Sequence, residues 1–379
     1  MEGTACVRLD LIVRTQWPME STEPMNSFEP GNKKRSPAIL GEPLIDPANW
    51  NKEDFQDNQK YLYILSSAEI NEIIDASDKF EKTGIELKNL RKTSFHIPHF
   101  EKTLTDIIHE EVLNGRGFIF IRGLPVKDRS VLQNAITQWG LASYLGIMLP
   151  QNKQGNLLEH VKDAGGDINT PNGRGYNSAN KLGFHSDSAD AFSLMCLCNG
   201  KTGGEHSIVS SVTLYNTILQ RRPDLAKELE FNFYRSRRGE IPDGEVPYIR
   251  QPVFSVTDGY FSARGASSTI NRAQHLPGVP KLSEKQWEAI NFFQQLCGEL
   301  ALKIDWQPGD VSFVLNHVSL HARTAYEDWP EPDRKRHLLR LWINLDQKRP
   351  VHSSIARDMS GIKLPRGTKV STPLEMTLV

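Results

Sequence analysis

The pattern of apolar and polar positions changes along the chain. Over residues 15–60 Pro18, Pro24, Pro30, Pro37, Pro43 and Pro47 recur among many polar residues, with Trp50 near the end. Proline fixes φ and removes a donor, so residues 15–60 are predicted to be an extended arm on the body, without regular structure of its own. From Ser66 the texture becomes helical. Ser66-Ser67-Ala68-Glu69 is a capping box ahead of Ile70, Ile73 and Ile74, and it predicts a helix start. A second helix is predicted over about 101–114, with Leu104, Ile107, Ile108 and Val112 on one side and Gly115 and Gly117 ending it. Phe118-Ile119-Phe120-Ile121 then reads as a short buried strand, and a third helix covers about 129–145.

From about residue 180 the apolar runs shorten and are separated by Gly, Pro, Asn and Asp. The runs 192–198, 207–212, 252–256, 260–263, 311–315 and 338–345 predict strands. Helices interrupt them at about 213–221 and 284–302, the latter opened by Ser283 with Gln286. Helices first and many short strands afterwards predict an α+β fold, with helices packed on a β-sandwich or jelly roll. Neither a G-x-G-x-x-G nor a P-loop occurs, which disfavours nucleotide-binding α/β folds.

Composition narrows the class. The 379 residues are 38% hydrophobic, enough for a large core. Lys+Arg 45 against Asp+Glu 46 gives a formal charge of −1, which argues against a general nucleic-acid binder while allowing a local basic patch. Cys6, Cys196, Cys198 and Cys297 are too few and scattered for a disulfide framework, and Cys196/Cys198 read as buried thiols before half of a zinc site. No apolar run approaches the roughly 20 residues of a membrane span. Glu2 and Asp10 among the first apolar residues, with Pro18 and Pro24 following, do not read as a signal peptide. The expectation is a cytoplasmic protein with a small-molecule substrate, no nucleic-acid or membrane partner, and room for a homo-oligomer.

Three blocks carry candidate chemistry. In Phe184-His185-Ser186-Asp187 the imidazole and carboxylate are two apart, so on an extended segment they converge on one point as two metal ligands would. A surface His beside a turn-forming Asp reads equally from the tripeptide alone. The second block is Asn316-His317-Val318-Ser319-Leu320-His321-Ala322-Arg323-Thr324, where His321 or His317 could close a 2-His-1-carboxylate triad, the arrangement of non-haem Fe(II) sites with open positions. The third is Arg336-His337-Leu338-Leu339-Arg340. Two guanidiniums four apart on an apolar strand share a face and ask for anions, whether in a salt bridge or in a ligand.

In order and spacing these blocks resemble the Fe(II)/2-oxoglutarate-dependent oxygenase superfamily, and more closely its taurine dioxygenase-like (clavaminate synthase-like) branch. The motifs bearing this are Leu182-Gly183-Phe184-His185-Ser186-Asp187, the Gly203-Gly204-Glu205 turn with Ser210-Ser211, Gly309-Asp310, and Leu320-His321-Ala322-Arg323-Thr324 through Arg336-His337-Leu338-Leu339-Arg340-Leu341-Trp342. The resemblance covers roughly residues 90–350 and is absent over the first 60 or so, which divides the chain into an arm, 1–60, and an oxygenase domain, 61–379. It implies a double-stranded β-helix (jelly-roll) core with flanking helices, and Fe(II), 2-oxoglutarate and O2 as cofactor and co-substrates. It also implies His185, Asp187 and His321 as iron ligands, the sequence around His321 favouring it over His317. Arg336 takes the position that grips the distal carboxylate of 2-oxoglutarate, and Arg340 that of the arginine facing the substrate.

One position departs from the pattern. Relatives usually place Thr or Ser two residues beyond the second glycine, as a donor to 2-oxoglutarate, where this chain has His206 followed by Ser207. Either His206 or Ser207 can take the role. Gln151, Asn177 and Arg264 are further candidates for substrate contacts, and Arg340 with Arg264 would suit a carboxylate-bearing molecule such as an amino acid or a specialised metabolite. The implied chemistry is oxidation of an unactivated C–H with release of succinate and CO2, giving hydroxylation or, with the same apparatus, desaturation or ring closure. A jelly-roll binding protein with a vestigial metal site and a zinc hydrolase are the competing readings. The paired arginines have no purpose in the hydrolase.

Overall fold

The computed structural model describes residues 34–55, 60–166, 170, 173–347 and 349–376. Cys6 and the prolines Pro18, Pro24 and Pro30 lie outside the described residues. The fold mixes helices with two main sheets. The larger has seven strands, in the order Leu62–Ile64, Phe118–Arg122, Val311–Leu315, Ala191–Cys198, His337–Leu345 and Gly146–Met148, with Leu158–Val161 also pairing to His337–Leu345. All its pairings are antiparallel except that of Leu62–Ile64 with Phe118–Arg122. The smaller sheet is antiparallel, in the order Leu302–Ile304, His206–Ser210, Ser319–Arg323 and Leu182–His185.

The central strand His337–Leu345 shows how the pleat sorts side chains. Leu339, Leu341 and Ile343 join the core beneath the helices Ser67–Lys82 and Val131–Ala142, whereas Leu338 and Trp342 join a second core with Phe192, Cys196, Ile208 and Val314. Strand alternation therefore puts Arg336 and Arg340 on the face that looks at the smaller sheet. The two faces meet where Phe192 of the large sheet lies 4.3 Å, centroid to centroid, from the His321 ring of the small one. A register shift opposite His337/Leu338 admits Leu197 as an extra residue between Cys196 and Cys198. Cys196 is buried and Cys198 is partly exposed with its Sγ near the carbonyls of Asn199 and Arg334, so the two thiols do not form half of a metal site.

The predicted helix starts are found. Ser66, Ser130 and Ser283 each cap a helix with a complete capping box, for Ser67–Lys82, Val131–Ala142 and Glu284–Leu300. The helix predicted over 101–114 is α-helical only for Glu101–Ile107 and continues as a π-helix, Ile108–Leu113. The wider turn buries Glu111 against Arg116, its ion-pair partner. The run predicted as strand 207–212 splits into the strand His206–Ser210 and the helix Ser211–Arg221, because Ser210 accepts from the Thr213 N–H as an N-cap. In the described part of the Pro-rich segment, Trp50 is buried, donates from Nε1 to the Arg116 carbonyl (2.9 Å) and meets Phe118 at 5.2 Å. The Gly41 and Leu44 N–H groups donate to Tyr215 and Asn216 of the helix Ser211–Arg221.

Candidate active site

His185 ends its strand directly opposite His321 on the neighbouring one, and a cross-strand pair places both rings on one face, 4.2 Å apart. Asp187 follows two residues later, and ligand atoms of the three lie within 4.8 Å of one another, the one such cluster among the described residues. The loop after His185 is fixed by Asn316, whose Oδ1 accepts from the Asp187 N–H (3.0 Å) and whose Nδ2 donates to the Ala189 carbonyl (2.9 Å). His185 Nδ1 lies 2.8 Å from the Gly183 carbonyl; a neutral ring donates there and leaves the Nε2 lone pair free for a metal. Burial depresses the pKa of His185 and, further, of His321, which keeps both imidazoles in the neutral form that binds metal.

Two atoms test whether a metal fits. Asp187 Oδ2 and His321 Nδ1 are buried without a hydrogen-bond partner. Such groups are costly in a protein interior, and a divalent cation beside them supplies what the protein does not. His317 is different in kind. It sits in the turn before its neighbouring strand, fully buried, with Nε2 3.2 Å from Asp190 Oδ1 and Nδ1 3.4 Å from Ser262 Oγ. Both ring nitrogens already have partners.

Deeper between the sheets lies Arg336. Its guanidinium is over the Tyr326 ring at 5.0 Å, it is buried, and its Nη1 has no hydrogen-bond partner. His206 lies on the same side, its ring stacked with His321 at 5.7 Å and its Nε2 also buried and unpartnered. Burial and then Arg336 push His206 down to about 3, so it is neutral at ordinary pH. Ser207 takes the opposite pleat, paired in register with Ala322, so of the two sequence candidates it is His206 that faces Arg336. A buried guanidinium with a free Nη1 and an unpartnered imidazole nitrogen stacked beside the candidate ligand cluster suit a diacid bound at both ends.

On the outer side is a cavity of about 850 Å³ that reaches His185, Asp187 and Arg340. Arg340 lies between the Tyr176 and Trp342 rings (4.9 and 5.2 Å), with Nη1 3.5 Å from Asp187 Oδ1. Its Nε donates to Gln151 Oε1 at 2.8 Å. Gln151 in turn donates to the carbonyls of Leu157 and Arg340, so its amide is fully engaged and it stays off the cavity wall. Asn177 also stays off the wall; its backbone carbonyl accepts from Ala164 and Gly166, and its neighbour Tyr176 is the residue that lines the cavity. Arg264 does line it, but its Nη1 donates to Ser186 Oγ (3.0 Å) and the Asp187 carbonyl (2.6 Å) and its Nη2 pairs with Asp358, which makes it a brace of the ligand loop.

Several participants escaped the sequence reading. Glu159 lies opposite Arg340 in the sheet, and burial raises its carboxyl while Arg340 opposes the shift. Tyr176, Arg238 and Asp358 come from three separate segments. Only the density of arginines in Arg235-Ser236-Arg237-Arg238 was available as a signal, and it fits a solvated turn as well.

Residues 86–342 match the family model described as taurine catabolism dioxygenase TauD, TfdA family. The chain belongs to that family. As a TauD/TfdA member it is an Fe(II)- and 2-oxoglutarate-dependent dioxygenase, using Fe(II), 2-oxoglutarate and O2. Among curated relatives it is 29% identical to FR-33289 synthase of Streptomyces rubellomurinus over 336 residues, covering 86% of this chain and 97% of the relative. It is also 29% identical to the taurine hydroxylase-like protein SAT17 of Stachybotrys chartarum, covering 80% of each. The fold is similar to asparagine oxygenase in complex with Fe(II), 2S,3S-3-hydroxyasparagine and succinate, with TM-score 0.59, 17% identity, and 75% and 93% of the two chains covered. It is likewise similar to the non-heme iron oxygenase OrfP in complex with Fe, succinate and (3S)-hydroxy-L-Arg, with TM-score 0.57, 14% identity, and 77% and 98% covered.

Proposed function

We propose that this dioxygenase oxidises an unactivated C–H of a small carboxylate-bearing molecule, an amino acid or a derivative of one, by hydroxylation. The observation that carries the reading is Arg340, a guanidinium held at 3.5 Å from the ligand carboxylate Asp187 and open to the cavity. A carboxylate paired with it is seated beside the metal position. The product complexes of asparagine oxygenase and OrfP support the substrate class. In this reading the two sheets form the double-stranded β-helix, or jelly roll, of the family, within one oxygenase domain over 61–379.

His185, Asp187 and His321 hold the iron. Iron(II) with 2-oxoglutarate and O2 supplies, when bound, an oxidant able to take a hydrogen atom from an unactivated C–H, with succinate and CO2 as co-products. Arg336 pairs with the distal carboxylate of 2-oxoglutarate, and neutral His206 donates a ring N–H to the same molecule in place of a hydroxyl. Asn316 and Arg264 hold the Asp187 loop so that the ligand geometry survives exchange of substrate. Trp342 and Tyr176, flanking Arg340, exclude water from one side of the substrate carboxylate.

Anaerobic addition of Fe(II) and 2-oxoglutarate should give the weak visible charge-transfer band of the chelate, and His185→Ala should lose both the band and succinate formation. Tight zinc retention without a band would sink the oxygenase reading. Amino acids that accelerate succinate release should yield a product heavier by one oxygen. A loss of two hydrogens would replace hydroxylation with desaturation or ring closure.

A further inference from the structure

The outer cavity carries more positive charge than one carboxylate can answer. Among the described residues, the four carboxylates that line it are already ion-paired: Asp187 with Arg340, Glu240 with Arg174, Glu245 with Arg237 and Lys363, and Asp358 with Arg264. Lys181 and Arg357 are exposed at the rim. Among the described residues the lining guanidiniums Arg235 and Arg238 have no carboxylate. Arg235 is 4% exposed and donates only to the carbonyls of Gly265 (2.7 Å) and Arg264 (3.2 Å), with its Nε buried and unpartnered. The Arg238 side chain has no hydrogen bond or ion pair among the described residues, and its neighbour Arg272 donates to the Gly173 carbonyl.

Arg238 is also held in an unusual backbone conformation. Its φ is +52°, in the left-handed region that a long side chain rarely adopts, and its N–H donates to Ser236 Oγ. Burial and then the charges of Arg174 and Arg272 push its guanidinium down to about 9, while Asp187 and Asp358 act in the opposite direction. The field of Arg238 in turn reaches His185. An uncompensated cation on a strained turn, aimed into a cavity near the ligand cluster, contributes nothing to stability that a neutral side chain would not.

We propose that Arg238, with Arg272 beside it, forms a second anion subsite separate from Arg340, and that the substrate carries a dianionic oxyanion head group seated there. The inference rests on the reading of this cavity as the substrate site. A dianion suits the place because Arg238 sits in the repulsive field of Arg174 and Arg272, and guanidinium is the side chain best matched to several oxygens at once. The substrate then bridges the cavity, one end near Arg340 and the other at Arg238.

Calorimetric binding of inorganic phosphate to the full chain tests this, with Zn(II) and 2-oxoglutarate present so that the inner site is filled without turnover. Arg238→Met should weaken phosphate at least tenfold without lowering Tm, Arg238→Lys should restore part of the loss, and Arg340→Met should change it less than threefold. Acetate should bind at least tenfold more weakly than phosphate. Equal phosphate affinity in wild type and Arg238→Met overturns the proposal, as does phosphate binding that vanishes only in Arg336→Gln. Acetate binding as tightly as phosphate overturns the dianion. The anaerobic iron band is an independent readout. Its absence with Arg238-dependent phosphate binding removes the catalytic reading and leaves the subsite, and the converse removes only the subsite.

Discussion

Arg336 and Arg340 share a strand face four residues apart, yet their surroundings are opposites. Arg336 lies deep and dry, its Nη1 without a partner, stacked only on Tyr326. Arg340 is clamped from behind by Gln151 and flanked by two rings, with one edge open to the cavity. An unanswered charge in a dry place marks a site for one invariant ligand, because only an incoming anion makes the buried state tolerable. A braced charge at an opening marks preorganisation for a ligand that comes and goes, since its geometry is set before binding.

The comparison can be broken at three levels. The largest effect is expected from Arg336→Ala, which should weaken 2-oxoglutarate by about 3 kcal/mol or more, roughly a hundredfold, while Arg340→Ala leaves it within a few-fold. Titrating the iron chelate band with 2-oxoglutarate measures both, and the reverse order would exchange the two roles. Gln151→Leu is intermediate. It frees the Arg340 Nε and leaves the Leu157 and Arg340 carbonyls without their donor, so substrate KM should rise about tenfold at unchanged KM for 2-oxoglutarate, an effect of about 1–2 kcal/mol. A rise in both KM values would mean that Gln151 supports the sheet and not the arginine.

The smallest effect concerns His337, next to Arg336. Burial and then His160, 2.8 Å away, push His337 down to about 3, below its unfolded value near 6.5. Below about pH 6.5 the unfolded chain binds a proton there that the folded chain refuses. Stability is therefore full above that pH and falls toward pH 3, by at most about 1.4 kcal/mol per pH unit for one group. Denaturant midpoints at pH 7 and 5.5 should differ less in His337→Asn than in wild type, and an unchanged difference would place the acid sensitivity elsewhere.

These contrasts also explain what could be read from the chain alone. The cluster of His185, Asp187 and His321 is legible because its members stand in short motifs on and beside two paired strands, where spacing translates directly into facing. The capping boxes at Ser66 and Ser283 are legible for the same local reason. What decides His317 against His321 is Asp190, a partner distant in sequence. The brace of Arg340 by Gln151 and the pairing of Arg264 with Asp358 close only in three dimensions, so resemblance and local polarity make both residues read as substrate contacts. The π-turn at Ile108–Leu113 keeps the same apolar positions as an α-helix and leaves no mark in the pattern.

The Gly203-Gly204 turn also decides where a buried charge can lie. Both residues have φ near +70°, and a Cβ at Gly204 would lie 2.9 Å from Arg336 Nε. The turn thus works as the floor of a measuring gauge: the guanidinium can recline only because nothing stands beneath it. Any methyl added there would crowd the guanidinium and force it to shift. The resting place of the Arg336 charge is then fixed in part by a side chain that does not exist.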